Sequence, residues 1–179
     1  EEITEEIPEV DAVLGTTSYG DNAKALNEAE AGHVFREFKD INALPEDSGR
    51  RVITTGGHFG YLKIAEGCDK HCTYCIIPSL RGKFRSVPEE RLLKQAEYMA
   101  SQGVRELILV AQETTVYGTD LYGKKTLHIL LKKLCQIKGI RWIRVLYCYP
   151  EEIYDELIQV MKEEKKICHY LDLPIQHAS

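Results

Sequence analysis

The chain has 179 residues, a formal net charge of −5 and 44% hydrophobic residues. No apolar run approaches the ~18 residues of a membrane-spanning helix, and the acidic N-terminus lacks the basic and apolar regions of a signal peptide. Six cysteines in such a chain favour a reducing, cytoplasmic location and metal chemistry over disulfide bonds.

The first 60 residues differ in charge from the rest of the chain. They carry 13 acidic and 5 basic residues, a net of −8, whereas the remainder carries 15 acidic and 18 basic residues, a net of +3. Residues 10–15 are typical of a strand, residues 21–30 of a short amphipathic helix, and a stretch containing Pro, Gly and Ser follows. We therefore predict one unit at 1–44, a linker at 45–60 and a second unit at 61–179.

The second unit alternates strands and helices. Its predicted strands lie at 61–65, 107–111, 142–146 and 170–175. The run at 107–111 is continuously apolar (LILVA), which suits a parallel strand buried on both faces. The alternation predicts an α/β fold with a parallel sheet and its helices outside.

Three amphipathic helices connect these strands. The first has Ser86 as its N-cap with Glu89 three residues later, as in a capping box, and ends at Gly103. The second begins after Thr126, and Pro150 opens the third, where its missing N–H is not needed. Their predicted buried positions are Leu92, Leu93, Ala96, Met99 and Ala100; Leu127, Leu130, Leu131, Leu134 and Ile137; and Ile153, Leu157, Val160 and Met161.

Three closely spaced cysteines, Cys68, Cys72 and Cys75, follow the first of these strands. Their CxxxCxxC spacing offers three thiolates to one inorganic centre, whereas a structural zinc site or a ferredoxin cluster takes four protein ligands. The spacing therefore favours a [4Fe–4S] cluster with one iron open to an outside ligand. Two alternatives remain at this point: a zinc knuckle completed by His71 or a distant residue, and reactive thiols without a metal.

Other candidate residues follow the predicted strands. In parallel α/β folds, ligands gather at the carboxyl ends of the strands. The cysteines and residues 112–113, 147–149 and 176–177 all occupy such positions, which predicts a single site. The remaining cysteines lie in apolar segments and are expected to be core residues: Cys135, Cys148 and Cys168.

The cysteine motif, with Tyr74 directly before its last cysteine, resembles the signature of the radical S-adenosylmethionine (radical SAM) superfamily. The resemblance implies a [4Fe–4S] cluster held by the three cysteines, with S-adenosylmethionine on the open iron, whose cleavage yields a 5′-deoxyadenosyl radical. The implied fold is a partial parallel (β/α) barrel, truncated here after about four strands and preceded by the end of an α/β N-terminal domain.

The flanking segments resemble the methylthiotransferases of that superfamily. They are residues 65–68 (AEGC), 75–86 (CIIPSLRGKFRS), 112–118 (QETTVYG), 142–150 (WIRVLYCYP) and 170–179 (YLDLPIQHAS). The last segment departs from the Pro-hydrophobic-Gln-Ser-Gly-Ser pattern of the tRNA-modifying branch. The resemblance therefore implies the branch that adds a methylthio group to the β-carbon of an aspartate in small-subunit ribosomal protein S twelve (uS12). A tRNA (adenosine) methylthiotransferase is the alternative.

Residue roles are implied by the same resemblance. Tyr74, Gln112 and Glu113 would contact S-adenosylmethionine, Arg144 would pair with its carboxylate in a bidentate fork, and His177 would face the substrate. Each residue also has a structural alternative. Tyr74 would be a packed aromatic, and Gln112 and Glu113 would cap a strand. Arg144 would be a surface arginine, and His177 a hydrogen-bonded residue without a role at the substrate. No residue is assigned as a catalytic acid or base. The basic segment 81–85 is interpreted as a solvated loop near the cluster, with an RNA contact as the alternative.

The resemblance also implies parts that this sequence does not contain. The family's N-terminal domain supplies three more cysteines for a second [4Fe–4S] cluster that delivers sulfur, and no cysteine precedes Cys68 here. We therefore expect those ligands upstream of Glu1, and a fragment that does not complete methylthiolation alone. The expected partners are uS12, alone or within the small ribosomal subunit, and an electron donor such as flavodoxin or ferredoxin. A non-catalytic metal-binding or electron-transfer module is the alternative from another class.

Overall fold

Four parallel strands form the largest sheet in the computed structural model, which describes residues 2–44 and 51–174. In spatial order they are β3 (Phe59–Lys63), β6 (Glu106–Val110), β7 (Trp142–Val145) and β8 (Ile167–Leu171). All three neighbouring pairs are parallel, which confirms the predicted α/β fold. The first strand begins two residues inside the predicted linker, and the fourth begins three residues earlier than predicted. Residues 45–50 of that linker lie outside the described residues.

Three helices cover one face of the sheet: α4 (Glu89–Ser101), α6 (Leu127–Cys135) and α7 (Asp155–Glu163). Each helix turns an apolar stripe towards alternate residues of the strands, so that one continuous core forms. Its fully or almost fully buried members include Leu92, Ala96, Met99, Leu130, Leu131, Leu134, Leu157 and Val160 from the helices, and Leu107, Leu109, Ile143 and Val145 from the strands.

The opposite face of the sheet is only half-buried. Along β6, Leu107 and Leu109 are buried, whereas Glu106, Ile108 and Val110 alternate with them and are partly exposed. The prediction that this strand is buried on both faces is therefore wrong for the described residues. The apolar run is continuous in sequence, but helices cover only one of its two faces.

Ser86 does not cap α4, contrary to the prediction. It lies in the two-residue strand β5 (Arg85–Ser86), which pairs antiparallel with β4 (Ala65–Glu66). The Ser86 hydroxyl donates to Asp120 Oδ1 at 2.6 Å and accepts the N–H of Gly118 at 2.8 Å. Pro88 occupies the N-cap position of α4, and this helix ends two residues before Gly103.

The other two helix starts agree with the prediction in part. Thr126 occupies the N-cap position of α6, although its side chain makes no capping hydrogen bond. Pro150 opens a single 3-10 turn, Pro150–Glu152, and α7 begins only at Asp155. Ile153 consequently precedes α7 and is half-buried, whereas the rest of the predicted stripe is buried in the core: Leu157, Val160 and Met161.

Residues 2–44 form a smaller layer with its own parallel strand pair. Its elements are α1 (Glu2–Glu6), β1 (Ala12–Leu14), α2 (Asn22–Glu30) and β2 (Phe35–Glu37), and they confirm the predicted strand and helix. This layer contacts the main unit near its cysteines, where the Thr16 hydroxyl donates to the Leu80 carbonyl at 3.0 Å. None of the described helices is long and apolar enough to cross a membrane.

Candidate active site at the cysteine loop

The cysteine loop, residues 67–76, joins β4 to α3 (Ile77–Arg81) at the carboxyl end of β3. The β4–β5 pair fixes its first residues. The Cys68 N–H donates to the Gly82 carbonyl at 3.2 Å. Gly67 has φ +77° and passes so close to the neighbouring strand that a Cβ would lie 2.1 Å from the Lys83 carbonyl oxygen. Only glycine fits this position, both by conformation and by space.

The three thiols share this loop but are not gathered at ligand distances. Cys68, Cys72 and Cys75 are free and half-buried, and the Cys75 N–H donates to the Cys72 carbonyl at 2.9 Å. Burial raises the pKa of Cys68, and the negative charges of Glu113 and of the other two thiols add to that rise. Within the described residues, no three Cys, His, Asp or Glu side chains form a ready metal site. A cluster bound by these thiols would therefore have to draw them together.

The cysteines outside the loop behave differently. Cys135 and Cys148 are core residues, as predicted, and burial raises the pKa of each to about 11. Cys168 is half-buried in β8, so the prediction that it is a core residue is wrong. Burial raises its pKa as well.

A second set of contacts ties the cysteine loop to the segment after β7. Lys70 forms an ion pair with one carboxylate oxygen of Glu152, and its Nζ lies 4.6 Å from the centre of the Tyr149 ring. Lys125 Nζ lies 2.8 Å from the other oxygen of Glu152. Hydrogen bonds from Lys125 and Lys70 lower the pKa of Glu152. Burial alone would lower the pKa of Lys70, but the hydrogen bond and charge of Glu152, with the charge of Glu113, raise it.

Glu113 joins the segments after β6 and β7 beneath the cysteine loop. It is buried, and its Oε1 accepts the Thr115 N–H at 2.8 Å and the Thr115 hydroxyl at 2.5 Å. The same hydroxyl oxygen accepts the Tyr149 N–H at 3.0 Å. Burial raises the pKa of Glu113, and the hydrogen bonds from Thr115 and the charge of Lys70 oppose that rise. Glu113 thus makes the contacts expected of a residue that caps its strand, which is the structural alternative to a contact with S-adenosylmethionine.

A cavity of about 220 Å³ lies between these groups and the first cysteine. Its walls combine charged and apolar side chains from the ends of three strands. They include Cys68, Lys70, Phe84, Glu113, Lys125 and Glu152.

Gln112 has an unsatisfied acceptor. Its side chain is half-buried, and its buried Oε1 has no hydrogen-bond partner within the described residues. A buried acceptor of this kind is matched by a donor in most proteins, and S-adenosylmethionine carries N–H donors. The chemistry of three thiols and one free acceptor at a single rim therefore fits a cluster with S-adenosylmethionine. Tyr74, in the same loop, has 71% of its surface exposed, so the packed-aromatic alternative is wrong.

The structure does not bring Arg144 to the cysteines. Its Nε donates to Glu106 Oε1 at 2.8 Å, and its guanidinium carbon lies 5.2 Å from the centre of the Tyr170 ring. Glu106 is the first residue of β6, at the end of that strand opposite to the cysteine loop. The predicted substrate-side residue, His177, lies outside the described residues.

Segment 81–85 is not a solvated loop, contrary to the prediction. Its Phe84 and Arg85 side chains are also too buried to contact an RNA. Phe84 and Arg85 are only 7% and 9% exposed. The Phe84 N–H donates to Asp69 Oδ1 at 3.0 Å, and an Arg85 Nη donates to the Arg81 carbonyl at 3.0 Å. The segment instead holds the cysteine loop in place through the hydrogen bond between Phe84 and Asp69.

Sequence reasoning missed Asp69, Lys70, Lys125 and Glu152, although all four hold this rim together. Asp69 and Lys70 occupy unspecified positions of the CxxxCxxC motif, Lys125 and Glu152 belong to no motif, and Lys70 and Glu152 are 82 positions apart. The signal that could have found them is their position, because each lies in a segment that follows a predicted strand.

Comparisons with known proteins agree with the predicted family. A model of the radical SAM superfamily matches residues 62–179. The uS12 methylthiotransferase RimO of Lachnoclostridium phytofermentans is 63% identical over 179 residues, which are 100% of this chain and 41% of that protein. RimO of Clostridioides difficile is 51% identical, with 100% and 40% coverage. This chain thus spans about 40% of the length of these curated relatives.

Solved structures share the fold at low sequence identity. The radical S-adenosylmethionine methyltransferase TsrM from Kitasatospora setae, solved with cobalamin and a [4Fe–4S] cluster, matches with a TM-score of 0.54 and 15% identity. The match covers 69% of this chain and 23% of TsrM. It supports the partial-barrel fold.

Proposed function

The chain belongs to the radical SAM superfamily, and from that premise we propose that it carries the radical-generating part of a methylthiotransferase acting on ribosomal protein uS12. The single observation that carries the proposal is the three-thiol loop at the carboxyl end of a parallel sheet, the same sheet edge at which Gln112, with its unsatisfied Oε1, follows β6. The 63% identity to a RimO over the whole chain supports the choice of branch. The tRNA methylthiotransferases are the competing branch, and the substrate assay below separates them.

We assign Cys68, Cys72 and Cys75 as the ligands of a [4Fe–4S] cluster. Bound there with S-adenosylmethionine, it supplies a 5′-deoxyadenosyl radical for removing hydrogen from an unactivated carbon. The Gly82 carbonyl holds the backbone of the first ligand, and Glu152 holds Lys70 between the first and second. Gln112 Oε1 would accept a hydrogen bond from the cofactor, and the exposed ring of Tyr74 would contact it.

The proposal includes three further residues. Glu113 is proposed to act on the cofactor only through the segments it joins, because Thr115 occupies its Oε1. For Arg144 to pair with a cofactor carboxylate, its contact with Glu106 would have to be shared or exchanged. His177 is retained as the substrate-facing candidate.

Other parts of the proposal concern the whole protein. By analogy with its relatives, we propose a second [4Fe–4S] cluster for sulfur delivery, a flavodoxin or ferredoxin as the electron donor, and a cytoplasmic location. The substrate would be an aspartate side chain of uS12, free or in the small ribosomal subunit.

The test begins with anaerobic reconstitution of the 179-residue chain with iron and sulfide. EPR spectra of the reduced chain are then recorded with and without S-adenosylmethionine. We expect a [4Fe–4S] signal that changes when the cofactor is added. Cys72→Ala should abolish that signal, whereas Cys168→Ala, which removes a half-buried cysteine outside the loop, should keep it. Bound zinc, or a cluster that is indifferent to the cofactor, would favour the structural or electron-transfer alternative.

The second stage uses the protein as its gene encodes it. It is given uS12 and unmodified tRNA in parallel, and the mass of each is measured. A mass gain on uS12 supports the proposal. A gain on tRNA alone would assign the protein to the other branch.

A further inference from the structure

Tyr147, directly after β7, has an unusual backbone conformation. It has φ +57° and is the one non-glycine residue with positive φ among residues 2–44 and 51–174. A side chain with a Cβ is sterically disfavoured in this left-handed region. Such residues persist only where their surroundings hold them, and they concentrate at functional sites.

Hydrogen bonds from both neighbouring strands hold this conformation. The Tyr147 N–H donates to Asp172 Oδ2 at 2.9 Å, just beyond β8. Its carbonyl accepts the N–H and the hydroxyl of Thr114, each at 3.0 Å, just beyond β6. Thr114 is fully buried, so these bonds are shielded from water. Three strand ends therefore converge on one strained residue.

Packing of the side chain does not explain the strain. The Tyr147 side chain has 50% of its surface exposed, whereas Cys148 beside it is buried. The left-handed turn allows Cys148 to enter the core. A glycine would adopt the same backbone conformation without the steric penalty. The turn therefore explains the positive φ, but it does not explain why the residue is a tyrosine.

The described contacts of Tyr147 do not include the cysteine loop. The contacts that join that loop to this segment run through Tyr149 and Glu152. The backbone of Tyr147 is instead bonded to Asp172 beyond β8 and to Thr114 beyond β6. Its exposed phenol offers an apolar face and a hydroxyl donor to a molecule at the carboxyl ends of these strands.

We propose that Tyr147 contacts the substrate, with its ring packed on the uS12 peptide and its hydroxyl donating to a peptide acceptor. This inference rests on the proposed function and adds a substrate-positioning residue to it. The strained backbone presents the ring at the rim, while the cysteine loop and Gln112 serve the cofactor.

The experiment compares Tyr147→Gly and Tyr147→Phe in the protein as its gene encodes it. Tyr122→Ala is the control, because it removes a similarly exposed tyrosine (47%) from α5 (Thr119–Tyr122). Three quantities are measured: the thermal midpoint of the metal-free protein, 5′-deoxyadenosine formed without substrate, and the affinity for a uS12 peptide that contains the target aspartate.

Tyr147→Gly should keep or raise the thermal midpoint, because the strain is relieved, and leave substrate-free 5′-deoxyadenosine formation unchanged. It should weaken peptide binding by about tenfold, as removal of an aromatic anchor does, and Tyr147→Phe by about threefold. The control should change none of these. Unchanged peptide affinity, or a parallel fall in 5′-deoxyadenosine, would overturn the assignment. A mass gain on tRNA and none on uS12, in the substrate assay described above, would instead overturn the proposed function, whatever the peptide affinities are.

Discussion

Replacing Gly67 with alanine should release the cysteine loop from the sheet. The left-handed backbone at φ +77° costs a residue with a Cβ about 1–2 kcal/mol. The new Cβ would also lie 2.1 Å from the Lys83 carbonyl oxygen and 2.6 Å from that of Gly82. Backbone atoms cannot rotate away, so the cysteine loop must separate from residues 82–83, which lie between α3 and β5, and the Cys68–Gly82 hydrogen bond, worth about 1 kcal/mol, is lost. We expect a total loss of about 3–5 kcal/mol.

The matched control is Gly123→Ala. This glycine also has positive φ, +68°, but a Cβ there meets nothing within 4 Å. Its substitution should lower the free energy of unfolding by only about 1 kcal/mol. The two variants are compared by urea unfolding of the metal-free protein and by iron content after reconstitution. Equal losses of stability, or normal iron uptake by Gly67→Ala, would refute the view that the close contact of Gly67 with residues 82–83 positions the first ligand.

Three further predictions concern the loop and the core. Lys70→Met should raise the alkylation rate of the loop thiols about threefold, because the ion pair with Glu152 limits opening of the loop. Lys133→Met, which breaks the Lys133–Glu89 ion pair away from the loop, should leave that rate unchanged. At pH 8, Cys148 should stay unlabelled in the native protein, because a pKa of about 11 leaves about one thiol in a thousand ionised; native-state labelling seen by mass spectrometry would contradict its burial. Leu109→Ala should cost about 3 kcal/mol in urea unfolding and Ile108→Ala roughly 1, since helices cover only the face of Leu109; equal costs would contradict the one-sided core.

The parallel sheet could be predicted because its signals are local. Apolar runs that alternate with amphipathic helices predict a parallel sheet with its helices outside. Because the carboxyl ends of parallel strands lie at one edge, the cysteines and Gln112 were predicted to share that edge without knowledge of the family. The error at β6 has the same origin: the run LILVA shows which residues are apolar, not how many faces are covered.

The cap at Ser86 shows where local reasoning fails. Its spacing to Glu89 matches a capping box, yet its hydroxyl bonds to Asp120, 34 residues away. The β4–β5 pair that captures it is two residues long on each side, too short to leave a periodic pattern in the sequence. The burial of Phe84 and Arg85 has the same cause, because both belong to the support that this pair gives to the cysteine loop.

The contacts around the cysteines fall into two groups that leave the middle of the loop adjustable. At its start, the close approach of Gly67 to Lys83 and the Cys68–Gly82 bond fix the backbone to the segment between α3 and β5. Two residues later, Lys70 is held by Glu152. Beyond Lys70, the recorded backbone bond is a single turn from the Cys75 N–H to the Cys72 carbonyl, inside the loop itself. The first thiol is thus placed by the fold, while the second and third are free to close on a metal. The loop lies after its strand, as predicted, yet the described residues contain no site with three metal ligands already in place. The arrangement explains why, because only the first thiol is fixed.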